Sequence, residues 1–140
     1  MTIYAVIDTN VIISSILTAN PLSPTIGIIE SIEEKKLIPL YSNYLLSEYR
    51  EVLSRTKFHV PDIIRDNMLL LFTQYGLNVE PTTIYQDLPD PDDAPIFMIT
   101  MDTRGMESFL VTGNIKHFPP LEYVVTPRRM MEILYETDRQ

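Results

Sequence analysis

The chain has 140 residues, of which 45% are hydrophobic and 21% charged, a balance typical of folded globular proteins. We expect a single domain spanning residues 1–140. The absence of cysteine excludes disulfides and thiolate zinc sites. No stretch approaches the ~20 apolar residues of a membrane span. Because the chain also opens without a basic secretion signal, we expect a cytoplasmic protein.

The net charge of −8 reflects 19 acidic residues against 11 Lys and Arg. Lys and Arg contacts to phosphates dominate non-specific binding of nucleic acid, so this charge argues against a broad electrostatic grip. It does not exclude a nuclease whose carboxylates bind cations, because a bound metal inverts the local charge. Any contact with nucleic acid is then local, metal-mediated or supplied by a partner.

The predicted elements alternate between strands and helices. The strands are predicted over 2–8, 37–41, 77–80, 109–112 and 122–125. The first three helices are predicted over 9–17, from Pro24 (N-cap Ser23) to about Lys35, and from a cap at Ser42 or Asn43 to about Lys57. The last three begin at Pro61 (with Gly76 at C′), span 93–104, and begin at Thr126 and Pro127. This alternation predicts a three-layer α/β/α domain with a mainly parallel sheet of four or five strands.

The first strand ends on a carboxylate. The apolar run Ile3–Ile7 is followed by Asp8, Thr9 and Asn10. A continuously apolar strand is typical of a parallel sheet covered on both faces, and ligands bind beyond the carboxyl ends of such strands. Asp8 is therefore expected at the mouth of a site. The alternative is that Asp8 only caps the following helix, and this segment alone does not decide between the two.

A second acidic residue, Glu48, lies at the border of an apolar helical stripe. The stripe consists of Leu45, Leu46, Tyr49, Val52 and Leu53. A carboxylate at the edge of a buried face costs free energy unless it is paired or metal-bound. The alternative is a surface glutamate whose stem covers the core, and taken alone the pattern favours that alternative.

Four aspartates lie within residues 87–93, and Asp92 or Asp93 is predicted to begin a helix. The alternative is a solvated acidic loop with one aspartate as the helix cap. Like charges this close repel one another, and few basic residues are near in sequence. A bound divalent cation would remove the conflict.

A polar loop follows the strand over 109–112. Thr112, Gly113 and Asn114 lie at its carboxyl end, where Gly113 allows either a close backbone approach or a positive φ. Lys116 and His117 follow one turn later. A lone histidine is more often structural than catalytic, and His59 is expected to take no part.

Together these four segments resemble the PIN domain family, through IDTNVI, SEYREVL, DPDDAPIF and FLVTGNIKHF. The similarity extends over nearly the whole chain and is greatest to the branch of toxins from toxin–antitoxin pairs. It implies a metal-dependent ribonuclease with a parallel sheet flanked by helices. It also implies one or two Mg²⁺ or Mn²⁺ ions, which are held by Asp8, Glu48 and Asp93, with Asp90 as an accessory acid.

The resemblance also implies supporting residues and partners. Thr9 and Asn10 match the polar positions after the first acid, and Ser42, Thr112, Lys116 and His117 are further supporting or substrate-contacting candidates. Many family members have a fourth acid where this chain has Asn114, whose carbonyl oxygen can still bind a hard cation without adding charge. The implied partners are an RNA substrate and a cognate antitoxin. The apolar run MLLLF at 68–72 exceeds one helical stripe, so we also expect a homodimer or a partner complex.

Three other functional classes are weighed against this one. A catalytically weak relative that binds RNA or a protein partner is favoured by Asn114 and by the acidic surface. A phospho-acceptor signalling domain needs an aspartate after a middle strand, but LIPLY is followed by Ser42. A dinucleotide-binding domain is excluded because the glycine fingerprint is missing.

Overall fold

The computed structural model describes residues 2–82, 88 and 90–139. In this part of the chain the sheet has five strands, β1 (Ile3–Ile7), β2 (Leu37–Tyr41), β3 (Leu77–Asn78), β4 (Phe109–Val111) and β5 (Val124–Val125). Their spatial order is β3-β2-β1-β4-β5 and every pair is parallel. The predicted parallel α/β architecture is confirmed.

Helices cover the sheet to give three α/β/α layers. They are α1 (Thr9–Leu17), α2 (Pro24–Glu33), α3 (Asn43–Leu53), α4 (Asp62–Tyr75), α5 (Ala94–Asp102) and α6 (Pro127–Asp138). Helix α5 packs against β1, β2 and β4, while α2 and α4 pack against β2 and α6 packs against β5. Short 3-10 turns occur at Thr56–Phe58, Pro91–Asp93, Arg104–Met106 and Ile115–His117. Among the described residues, none of the helices combines the length and the hydropathy that a transmembrane segment needs.

The helix starts follow the predicted caps. The hydroxyls of Ser23, Ser42 and Thr126 each accept a hydrogen bond from a backbone N–H in the first turn of the helix that follows. Helix α3 ends at Leu53, earlier than the predicted Lys57. Residues 54–57 are all exposed, so a longer helix would bury no further side chain.

Gly76 corrects one local expectation. It follows α4 as predicted, but its φ of −102° and ψ of −178° are extended rather than left-handed. A Cβ at this position would lie 2.4 Å from the carbonyl oxygen of Phe72 and 2.5 Å from that of Pro39. Glycine is needed here because two backbone segments approach closely, not because of a positive φ.

The two central strands place the candidate residues. Ala5, Val6 and Ile7 of β1 are fully buried, as expected for a strand covered on both faces. The chain leaves β1 toward β2 on one side, whereas β4 pairs with β1 on the other. The strand order therefore reverses between β1 and β4, the kind of position where parallel α/β sheets form a ligand crevice.

Candidate active site

Asp8 follows β1 directly at this reversal point and is only 8% exposed. It occupies the N-cap position of α1, but its side chain makes no capping hydrogen bond. Instead its Oδ2 accepts hydrogen bonds from the Thr112 hydroxyl at 2.8 Å and from Nδ2 of Asn10 at 3.2 Å. The carboxylate is thus held by the loop after β4, which is not the behaviour expected of a simple helix cap.

Asn10 and Gly113 tie the two strand ends together. Oδ1 of Asn10 accepts a hydrogen bond from the Gly113 N–H at 3.0 Å, so the same amide bonds both Asp8 and the loop. No glycine in the described residues has a positive φ. A Cβ on Gly113 would lie 3.2 Å from Oδ1 of Asn10, so the close-approach explanation applies.

Glu48 reaches the same region from α3. Its Oε2 accepts a hydrogen bond from the Thr9 hydroxyl at 2.5 Å. The next residue, Tyr49, is fully buried and its hydroxyl donates a hydrogen bond to the carbonyl oxygen of Ile7. Helix α3 is therefore anchored to the end of β1 on either side of Asp8.

Asp93 lies at the N-cap of α5 and likewise makes no capping hydrogen bond. Its Oδ2 is buried without a hydrogen-bond partner, although Nδ1 of His117 lies 3.2 Å away. Asp90 behaves differently, since its carboxylate accepts the Asp92 N–H at 2.9 Å and so caps the 3-10 turn. Asp87 and Pro89 of the same acidic segment lie outside the described residues.

The three acids line one cavity of about 380 Å³. The fourth carboxylate in its wall is that of Asp92, not the accessory Asp90. Among the described lining residues there is no lysine or arginine to balance these charges. The rest of the wall is formed by Thr9, Asn10, Ile13, Ser14, Val52, Phe58 and Ile96.

The carboxylates raise one another's pKa. Burial raises the pKa of Asp8, and the charge of Asp93 adds to it. Burial also raises the pKa of Glu48, with a further contribution from Asp8. The pKa of Asp93 is raised mainly by its burial and next by the charge of Asp90; His117 opposes the rise, and the charge of Glu48 adds a smaller contribution. Each of the three acids thus has its pKa raised in part by another of the three, as expected for like charges that lie near one another.

This chemistry fits a hard divalent cation. The acids repel one another, and the buried Oδ2 of Asp93 has no hydrogen bond. In the described part of the chain, no three acidic or histidine side chains lie close enough together to enclose one ion. Mg²⁺, however, commonly keeps several waters and takes only one or two protein carboxylates, so a closed cage of three is not required.

Of the remaining residues predicted for the site, one contacts an acid of the cavity and three do not line it. His117 contacts Asp93, whereas Asn114 and Lys116 are exposed and do not contribute to the described wall. Ser42 is buried and caps α3 through the Leu45 N–H at 3.1 Å, so its hydroxyl serves the helix.

Sequence reasoning missed two features of the site. It assigned Tyr49 only to the core, although its hydroxyl holds α3 against the end of β1. It gave Phe58 no role, although that ring lines the cavity. The basic and aromatic run RTKFH, residues 55–59, was the signal that could have drawn attention to Phe58.

Comparison with known proteins identifies one family. The model of the PIN domain matches residues 4–116, a range that includes Asp8, Glu48 and Asp93. Neither the curated proteins nor the solved structures give a significant match.

Proposed function

The chain belongs to the PIN domain family, a family of nucleases, and we propose that it is a metal-dependent endoribonuclease that hydrolyses RNA phosphodiester bonds. The observation that carries this proposal is the convergence of Asp8, Glu48 and Asp93 on one cavity at the carboxyl edge of the sheet. Acids that line one cavity, with no lysine or arginine among its described lining residues, are suited to binding a cation, and a bound cation would neutralise charge on a polyanionic substrate.

Asp8, Glu48 and Asp93 are the residues that would hold Mg²⁺ or Mn²⁺, in part through the waters that such an ion keeps. When bound, such an ion supplies a water of lowered pKa and neutralises charge on the scissile phosphate. Thr9 orients the Glu48 carboxylate, and Thr112 and Asn10 orient that of Asp8. Hydrogen bonds of this kind fix the direction of metal ligands and increase their affinity for the ion.

The second candidate function is a catalytically weak domain that binds RNA or a protein partner. The observation that favours it is at the loop after β4, where Asn114 replaces an acid and is exposed. Such a domain would still bind RNA but would not cleave it when metal is added.

For biological role, we propose the toxin of a toxin–antitoxin pair, acting as a homodimer or in complex with its antitoxin. The support for an interface is on α4, where Ile63 is 67% exposed and Leu70 is 57% exposed. Apolar surface of this kind is typical of protein–protein contacts.

The deciding experiment incubates the purified protein with structured and unstructured RNAs in EDTA and in Mn²⁺, beside Asp8→Asn. We expect internal cleavage only with the native protein and only in Mn²⁺. Calorimetric titration of Mn²⁺ provides a second readout, in which Asp8→Asn should bind the ion more weakly. RNA binding without cleavage in any buffer would favour the second candidate, and cleavage by Asp8→Asn at the native rate would contradict the proposed site.

A further inference from the structure

The wall of the acidic cavity is partly apolar. Besides the carboxylates it contains Ile13, Val52, Phe58 and Ile96. Apolar side chains do not bind a phosphate group, because phosphate is bound by cations and hydrogen-bond donors. A nucleobase is different, since its flat face stacks favourably on aromatic side chains. The apolar part of the wall is therefore suited to contact a nucleobase, whereas the acidic part is suited to the metal-bound phosphate.

Phe58 is the aromatic residue in this wall and is held by a tight turn. It ends the 3-10 turn Thr56–Phe58, where its N–H bonds the carbonyl oxygen of Arg55 at 3.1 Å. The next residue, His59, is left-handed with a φ of 51°, a conformation that non-glycine residues seldom adopt. This turn lies between α3 and α4 and sets the backbone at Phe58, whose ring remains partly exposed.

A cation accompanies the ring. The Nζ of Lys57 lies 5.0 Å from the centroid of Phe58, a cation–π distance. Arg55, two residues earlier, is held by Glu51 at 2.9 Å. Lys57 is exposed and forms no ion pair with any residue in the described ranges. It is therefore a cation beside the cavity that stays available for a phosphate.

We propose that the turn Thr56–Phe58 is a nucleobase subsite, in which an unpaired base stacks on Phe58 and an adjacent phosphate contacts Lys57. The proposal rests on the proposed ribonuclease function and identifies how the RNA is held beside the acids. It also fits the net charge of −8, since an acidic protein needs local contacts to retain RNA. Stacking contributes affinity for RNA that does not depend on a positive net charge of the protein.

The test measures binding rather than cleavage. Fluorescence anisotropy of a labelled short oligouridylate, and of an abasic ribose–phosphate oligomer of equal length, is recorded with Ca²⁺, and gels verify that both stay intact. The variants are Phe58→Leu, Phe58→Trp and Lys57→Gln. Tyr135→Leu is the matched control, because Tyr135 is 65% exposed on α6 and has the guanidinium of Arg139 at 5.7 Å from its ring.

We expect Phe58→Leu to weaken oligouridylate binding by about 5- to 150-fold, the usual range for the loss of one stacked base. Binding of the abasic oligomer should not change. Phe58→Trp should retain affinity, and Tyr135→Leu should match the native protein. Lys57→Gln should weaken both oligomers and reduce the salt dependence of binding. Thermal unfolding of each variant shows that the fold is retained, and Phe58→Trp provides the comparison if Phe58→Leu unfolds.

The proposal is overturned if Phe58→Leu binds oligouridylate like the native protein, if it weakens both oligomers equally, or if the native protein binds neither oligomer. Its failure is distinct from failure of the nuclease function. Native protein that cleaves RNA but is indifferent to Phe58→Leu retains the function and loses the subsite. Native protein that binds through Phe58 but never cleaves retains the subsite and loses the function.

Discussion

The hydroxyl of Thr9 donates a hydrogen bond of 2.5 Å to Oε2 of Glu48, although 39 positions separate the two residues. Thr9 is the first residue of α1 and follows Asp8 directly, whereas Glu48 lies on α3. The hydrogen bond therefore fixes the position of the Glu48 carboxylate relative to Asp8. It also lowers the pKa of Glu48 against the opposing effect of burial, and so favours the charged carboxylate that a cation requires.

We expect Thr9→Val to weaken Mn²⁺ binding by about 10- to 100-fold, the usual effect of removing a group that orients a metal ligand. Valine keeps the shape of this buried side chain and removes only the hydroxyl. Thr9→Ser retains the hydroxyl and is expected to bind Mn²⁺ close to the native affinity. Isothermal titration calorimetry measures both. If serine loses as much affinity as valine, packing of the methyl group rather than the hydrogen bond is responsible.

Asp93→Asn is expected to abolish cleavage and to leave the fold intact. Its carboxylate makes no capping hydrogen bond to α5, so the helix loses no cap when the charge is removed. Its pKa is raised by burial and by neighbouring carboxylates, so removal of the charge relieves repulsion. The Tm in EDTA should be equal to that of the native protein or higher, and the gain in Tm on adding Mn²⁺ should be lost.

Asp90→Ala is the matched control for Asp93→Asn. Asp90 caps the turn Pro91–Asp93 through the Asp92 N–H, and the loss of such a cap costs about 1 kcal/mol. This variant should be less stable in EDTA and in Mn²⁺ alike and should still respond to the ion. A large fall in the metal-free Tm of Asp93→Asn would instead make Asp93 a structural residue.

The sequence indicated the acids that line the cavity more readily than the side chains around them. Asp8 and Asp93 each follow a local pattern that also describes a helix cap, and only long-range contacts show that neither side chain caps. The hydrogen bond from Thr112 to Asp8 joins residues 104 positions apart, which no local periodicity encodes. Phe58 follows α3, so its place in the cavity wall depends on the hydrogen bonds that hold α3 to the end of β1 as well as on its own turn.

The stability of the metal-free protein should depend on the charge of Asp8. Burial, followed by the charge of Asp93, raises the folded-state pKa of Asp8 above its ordinary value of 3.8. Between these two pKa values the folded state binds more protons than the unfolded chain. The contribution of Asp8 to stability is therefore present below the ordinary pKa and is lost as pH rises through the raised one.

Asparagine does not ionise, so Asp8→Asn keeps its stability where the native protein loses this contribution. In EDTA, the Tm of Asp8→Asn minus the native Tm should therefore increase from acidic to neutral pH. The comparison between the two proteins cancels the titration of acids that do not interact with Asp8. Loss of the Asp8 charge also removes one cause of the raised pKa of Glu48, which changes the difference in the same direction. Differential scanning calorimetry across that range measures it. A difference that is constant with pH would show that Asp8 is charged with its ordinary pKa in the folded protein.

The apolar surface of α4 should mediate self-association. Leu69 is buried, but its neighbour Leu70 is 57% exposed, so the run MLLLF contributes to the surface as well as to the core. We expect light scattering to report a dimer for the native protein and a monomer for Leu70→Lys. Leu22→Lys is the control, since Leu22 is 88% exposed outside α4 and should leave the dimer intact. A monomeric native protein would contradict self-association through α4 and would leave a different protein as the partner for this surface.

Asn114→Asp tests whether the loop after β4 supplies a ligand. The resemblance to the PIN domain family predicts an acid at this position, and an added charge beside the ion would raise the Tm in Mn²⁺ and lower it in EDTA. In the structure Asn114 is exposed and outside the described cavity wall, and its backbone N–H bonds the Thr112 hydroxyl at 3.0 Å. We therefore expect a small and equal change in both buffers, within about 0.5 kcal/mol, as for most surface substitutions. Shifts of opposite sign in EDTA and Mn²⁺ would place residue 114 among the ligands, because a general surface effect does not depend on the ion.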